Sequence, residues 1–181
     1  VCISANIKKM YVNVKVDKHF IEPTSKIVKA IKSYGDELGK VTNVRADHTD
    51  WHLHYKDNTF NPFIDEFHAL YPKHKIHELW GVNYKPGDYA EAHNHHGFDL
   101  AFVWFVDTCP RCSPLVFPDN QCQWMPPHHS FKPENGTLLV FGGLDVHYVP
   151  PHRCDHERTV LSGNVQLRSL NTTELIPDPW Q

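Results

Sequence analysis

Long apolar runs are missing from this chain: nothing in its 181 residues approaches the roughly 18–20 consecutive apolar residues of a membrane span. Val1 to Met10 carries no charged head followed by an apolar block, so no secretion signal is legible. Val1 in place of an initiator Met leaves a targeting segment ahead of it open. A surplus of one charge sign is also missing. Lys+Arg 18 against Asp+Glu 21 give a net charge of −3, which excludes the strongly basic footprint of a nucleic-acid-coating protein. Cysteine is sparse and odd in number (Cys2, Cys109, Cys112, Cys122, Cys154), which excludes a secreted disulfide framework and points to a reducing compartment. Repeats, low-complexity segments and linkers are absent, so one domain is expected over 1–181. At 40% hydrophobic and 12% aromatic residues it can bury a real core.

What the chain has in excess is histidine. There are 15, nearly as many as Lys and Arg together, and His is both the commonest metal ligand and the group that titrates near neutral pH. Residues 11–16 alternate as a half-exposed strand does. Pro23 and Thr24 open a helix with apolar positions at Ile27, Ile31, Tyr34 and Leu38, closed by Gly39, with Lys26, Lys29 and Lys32 outward. Residues 41–58 are polar and irregular and hold His48, Trp51, His52 and His54. Asn61-Pro62 starts a second helix, Asn as cap and Pro at the first position, with Phe63, Phe67 and Leu70 as its buried face and Pro72 as its stop. From residue 77 short apolar runs alternate with Pro/Gly/Asn turns, at 77–84, 89–95, 100–106, 114–117, 137–141, 145–149 and 159–167. Such strands without helical period predict a mainly β sandwich or double-sheet barrel, flanked by the N-terminal helices. The division expected is a helical flank at 1–76, a β core at 77–170 and an extended tail at 171–181.

His93-Asn94-His95 ends a strand-like run, and residues i and i+2 of a strand share a face, so both imidazoles can converge on one point. A third histidine, His147, lies in the late pair of strands, and Arg158 follows eleven residues later. A His-x-His pair alone is weak evidence, since His52 and His54 repeat it.

Order and spacing strengthen it. Tyr84-Lys-Pro-Gly-Asp-Tyr-Ala-Glu-Ala-His-Asn-His95 resembles the metal-binding segment of the Fe(II)/2-oxoglutarate-dependent oxygenases, prolyl-4-hydroxylase-like branch, whose pattern is Tyr-x-x-Gly and then His-x-Asp. Leu100 to Val106, Ser113 to Phe117 and Pro133 to Gly142 are similar to the strands that follow in that family. His147 and the segment Glu157-Arg158 match its distal ligand and its co-substrate arginine. The resemblance spans about residues 77–167. It implies a double-stranded β-helix (jelly roll, cupin-like), with iron held by His93, His95 and His147. It further implies 2-oxoglutarate as co-substrate, its distal carboxylate on Arg158 with a further hydrogen bond from Tyr84. Oxidative decarboxylation to succinate and CO2 would then drive hydroxylation of a C–H bond of a small molecule or peptide by O2. One departure stands out: His95 replaces the usual carboxylate, as in a subgroup of bacterial and phage-borne oxygenases. This makes the cytoplasm of a bacterial cell or phage-infected host the expected location. Asp99 is the alternative third ligand, but at about 3.3 Å per extended residue it would lie roughly 13 Å from His95 unless the chain turns at His96-Gly97.

Two other readings compete. A three-His metal dioxygenase or isomerase would bind its substrate directly and leave Arg158 incidental, in a surface ion pair with Glu157 or Asp155. A non-catalytic metal- or ligand-binding jelly roll would need no chemistry at all. Cys109-Pro-Arg-Cys112 sits at a predicted hairpin tip and could hold structural zinc with Cys122 and Cys154. His96, His128 and His129 are expected near the mouth of the barrel as solvated or packed side chains. Trp51, Trp80 and Trp124 are candidates to shape a substrate cleft.

Overall fold

The computed structural model describes residues 14–38, 42–119, 127 and 129–168. β1 (Val16–Phe20) is followed by α1 (Ser25–Tyr34), the two-residue strands β2 (Val44–Arg45) and β3 (Asp47–His48), α2 (Leu53–Lys56) and α3 (Asn61–Leu70). Eight strands complete the order: β4 (His74–Tyr84), β5 (Tyr89–His93), β6 (Leu100–Asp107), β7 (Leu115–Phe117), β8 (His129–Phe131), β9 (Thr137–Gly142), β10 (His147–Val149) and β11 (Arg158–Leu167). They form a major sheet, β1-β9-β6-β11-β4-β3, and a minor sheet, β2-β5-β10-β7-β8, with antiparallel neighbours throughout. This is the double-sheet arrangement that the strand spacing predicts and the jelly roll that the resemblance implies. No helix among the described residues is long and apolar enough to cross a membrane.

The major sheet is covered on both faces, which explains the unbroken apolar run of β6. Its side chains alternate: Phe102, Trp104 and Val106 meet Ile27, Ile31, Phe60, Phe63 and Phe67 of the helical layer. Ala101, Val103 and Phe105 turn inward to Leu115, Phe117, Phe141 and Val149 between the sheets. Trp104 is fully buried, stacks on Phe63 at 4.6 Å and donates its indole N–H to the Ile21 carbonyl (3.0 Å). Helix α1 rests so closely on β4 that a Cβ on Gly81 would collide with Ile31.

Several expectations need correction. The first strand runs over 16–20, where it pairs with β9, rather than over 11–16, of which 11–13 lie outside the described residues. Thr24 caps α1 as expected, its hydroxyl accepting from the Ile27 N–H (3.4 Å), but the helix stops before Gly35, whose φ of 63° ends it. Leu38 is therefore outside the helix, and Gly39 lies outside the described residues. Asn61 does not cap α3. A 3-10 turn, Asn58–Phe60, runs straight into the helix, so Asn61 is already helical, and it is Asp57 that caps the turn through the Thr59 N–H (2.8 Å). Leu70, expected in the buried face, is 43% exposed. The N-terminal flank is not only helical: it contributes β1, β2 and β3, and the polar stretch 41–58 holds β2, β3 and α2.

Candidate active site

The site lies where the inner face of the major sheet meets the minor sheet. β5 and β10 pair antiparallel with His93 directly opposite His147, so the register alone puts two imidazoles side by side. His95 does not share that strand: β5 ends at His93. It is returned to the site by a turn in which the His95 N–H donates to the Gly143 carbonyl (2.7 Å) and the Phe98 N–H to the His95 carbonyl (3.1 Å). Gly143 permits this approach, because a Cβ there would strike the Phe98 carbonyl. The alternation expected to bring His93 and His95 together does not apply, because the strand ends at His93; cross-strand register joins His93 to His147, and the turn brings His95 to both.

One ligand nitrogen from each of the three histidines lies within 4.8 Å of the others. His95 Nε2 and His147 Nε2 are 3.3 Å apart, close to the roughly 3 Å between adjacent ligands at metal–nitrogen distances of about 2.1 Å. The opposite ring nitrogens are occupied: His93 Nδ1–H donates to the Glu91 carbonyl (2.6 Å) and His147 Nδ1–H to the Asp145 carbonyl (2.9 Å). Those bonds fix the tautomer that leaves Nε2 with its lone pair, as metal-ligating histidines require. Burial is the main force on all three rings and holds them neutral. It drives His147 well below the usual range with help from its two neighbours, takes His95 down to about 4 against the opposing influence of Asn164, and lowers His93. The donor set fits a divalent first-row metal that accepts imidazole nitrogen.

Asp99 is excluded from this group by its bonds. Its carboxylate accepts from the Leu167 N–H (2.8 Å) and its own N–H donates to the Val165 carbonyl (3.1 Å), tying it to the far end of β11.

Arg158 opens β11 at the other end, paired in register with Tyr84. Its guanidinium is buried (1% exposed), lies over the rings of Tyr84 (4.6 Å) and Phe105 (5.2 Å), and finds no carboxylate among the described residues: none of its three nitrogens has an acceptor in hydrogen-bonding geometry, and the neighbouring Tyr84 hydroxyl is a polar group that favours its charge. The surface ion pair is ruled out, since Glu157 turns instead to Lys32 (3.3 Å) and Asn83 (3.2 Å). A buried cation without an acceptor costs several kcal/mol in effective terms, so the arrangement fits a site built for an anion supplied from outside. Tyr84, Arg158 and the three histidines line one cleft, with Trp80 against His95. Counting by two from Arg158 along β11 brings Val160 and Ser162 to the same wall. Ser162 was within reach of sequence reasoning by that count alone.

The remaining candidates separate. Trp80 belongs to the cleft, and Trp51 packs against it at 4.8 Å. His52 and His54 have ring centroids 6.0 Å apart on a different part of the fold and belong to no metal-binding group among the described residues. His96 is exposed, and His129, in β8, is bonded to the Val14 carbonyl (3.2 Å). Trp124, His128 and Cys122 lie outside the described residues. Cys109 and Cys112 are joined by Cys154, forming a second group with metal-ligand spacing.

No protein-family model matches the sequence, and no curated protein resembles it at a significant level. Solved structures do resemble the fold. The prolyl-4-hydroxylase of Pseudomonas putida superposes with a TM-score of 0.62 at 16% identity, over 84% of this chain and 92% of that one. The chain shares the fold of the 2-oxoglutarate oxygenases. HygX of Streptomyces hygroscopicus, solved with nickel, 2-oxoglutarate and hygromycin B, shows the same oxygenase fold with a TM-score of 0.63 at 9% identity, over 87% of this chain and 84% of that one. The viral collagen prolyl hydroxylase of Paramecium Bursaria Chlorella virus-1 gives 0.53 at 13% identity, over 84% and 96%.

Proposed function

We propose that the chain is an Fe(II)- and 2-oxoglutarate-dependent dioxygenase that hydroxylates a C–H bond of a small molecule or peptide. The observation that carries this reading is Arg158, a buried guanidinium without an acceptor, in the same cleft as three inward-facing imidazoles. A metal site alone would not account for that arginine. A dicarboxylate co-substrate would, with its keto-acid end at the metal and its distal carboxylate on the planar fork of Arg158.

His93, His95 and His147 would hold the iron through Nε2, and the carbonyls of Glu91 and Asp145 keep two of those rings from rotating. Fe(II), when bound, would supply open coordination positions for 2-oxoglutarate and O2 and would activate the O2, which is the oxidant. One oxygen atom enters succinate, the other enters the product alcohol, and CO2 leaves. Arg158 remains charged throughout, because its guanidinium is too basic to lose its proton near neutral pH. Tyr84 and Phe105 hold the guanidinium between their rings, so a carboxylate meets it already oriented. Three neutral imidazoles in place of two and a carboxylate leave the ion's full double charge unneutralised by protein, which strengthens its hold on an anionic co-substrate.

Succinate formation from 2-oxoglutarate with Fe(II) and ascorbate, even uncoupled from a prime substrate, tests the proposal. Absence of succinate together with absence of a 2-oxoglutarate-dependent visible absorption under anaerobic conditions overturns it. Arg158→Ala is expected to weaken 2-oxoglutarate binding by about tenfold or more while sparing metal content. The histidine at position 95 favours a second reading, a three-His metal enzyme that binds its substrate directly. Equal 2-oxoglutarate affinity of the wild type and Arg158→Ala would select it.

A further inference from the structure

The second group of side chains with metal-ligand spacing is made of cysteines that two different parts of the chain bring together. Cys109 and Cys112 stand either side of Pro110-Arg111, after β6 and before β7, in a turn closed by the Cys112 N–H donating to the Cys109 carbonyl (2.9 Å). Cys154 arrives from the connection between β10 and β11, 45 residues from Cys109 in sequence. Its Sγ lies 3.4 Å from that of Cys109, which in turn lies 3.6 Å from that of Cys112, and all three sulfurs are within 4.8 Å of one another.

Those separations discriminate between two chemistries. A disulfide needs about 2.05 Å between sulfurs. Thiolates at about 2.3 Å from a tetrahedral zinc ion stand roughly 3.8 Å apart. The sulfurs are spaced as ligands around a common centre. Backbone amides support the same charge state: the Cys109 N–H donates to Cys112 Sγ (3.3 Å) and the His156 N–H to Cys154 Sγ (3.4 Å). Such bonds are strongest when the acceptor is an anion, as sulfur becomes on binding a metal. Cys112 and Cys154 are buried, while Cys109 is partly open, so an ion has a way in.

We infer that Cys109, Cys112 and Cys154 form a structural thiolate site for zinc, separate from the histidine centre, that ties the β6–β7 connection to the segment leading into β11. Thiolate donors suit zinc, while an imidazole set accepts iron as well as zinc, so the cysteines are the more selective zinc site. Each thiol that becomes a ligand gives up its proton, and uptake therefore releases protons to solvent. The clip has a consequence for the neighbouring cleft. Cys154 is four residues ahead of Arg158, on the segment that leads into β11. The site fixes the approach to the very residue on which the co-substrate depends.

The full chain, produced with zinc supplied and purified under reducing conditions, should retain about one zinc ion after treatment with a weak chelator. The double variant His93→Ala/His147→Ala should keep it and Cys109→Ser/Cys154→Ser should lose it. Because the serine variant could fail to fold, the unmutated chain is also loaded with Co(II). The expected spectrum combines an intense thiolate-to-cobalt charge-transfer band with the visible bands of tetrahedral cobalt. Zinc that follows the histidines instead of the cysteines, a cobalt spectrum with no thiolate band, or a Cys109–Cys154 disulfide in the freshly purified reduced protein would each overturn the inference.

Discussion

The two sheets of the jelly roll do different work. The major sheet holds the long strands, β4, β6 and β11, sandwiched between a helical layer and the interior. The minor sheet is built of strands of two to five residues, held in place by pairing with one another and by the core at their inner face. Arg158 comes from the major sheet, and His93 and His147 come from the minor one. Burying a guanidinium without an acceptor requires a frame stable enough to carry the penalty, and the thick sheet supplies it. Histidines that bind an ion would need less support, because the ion itself would cross-link them. The cleft is thus a joint between a stable wall and a wall completed by its ligand.

The comparison can be broken most severely from the major side. Trp104→Ala, which empties the space against Phe63 and removes the bond to Ile21, should cost about 3–5 kcal/mol. Urea unfolding would show it as a lower midpoint at similar m-value. Next in size, Arg158→Met should raise the stability of the metal-free, co-substrate-free protein by about 1–4 kcal/mol, since an apolar chain of similar length replaces a buried unpaired charge. The same variant should lose 2-oxoglutarate affinity. Lower stability in Arg158→Met would mean the guanidinium has a partner in the resting protein.

Acid should weaken the metal-free protein. Burial depresses His48, His54, His68, His93, His95 and His147 below their ordinary value of 6.5, with His54 and His95 at about 4. The unfolded chain then binds more protons than the folded one between those values, so stability is complete above about pH 6.5 and falls as pH drops towards 4. Urea midpoints at pH 7 and pH 5 check the sign, and a flat profile would mean these rings are charged in the folded state. The smallest effect belongs to the surface. Arg45→Ala breaks the exposed pair with Glu91 (3.1 Å) that joins β2 to β5, and should cost less than about 1 kcal/mol by thermal melting.

How much of this was legible beforehand depended on range. The apolar run 100–106 announced β6, and the order of Tyr84, His93, His95, His147 and Arg158 announced the cleft, because each carries its own residue type at a motif's spacing. The strands β2 and β3 were not legible, being two residues long and polar; only their pairing with β5 and β4 makes them strands. Leu38 kept the helical period past Gly35, where the backbone had already left the helix, and periodicity cannot see a φ of 63°. The burial of Arg158 was equally hidden, since sequence shows a charge and not what surrounds it. Cys154 was a candidate partner of Cys109 and Cys112 by residue type alone, and it is the path of the sheets that brings the three together.

The pairing of His93 with His147 has one more consequence, for how the chain finds its native alignment. β10 is three residues long, and a slip of one residue against β5 would turn His147 to the opposite face. Such a chain could still bury apolar side chains, but it could not close three imidazoles around an ion. An ion bound there would therefore work as a proofreader of strand alignment: by mass action it would draw the population towards the one register that can bind it.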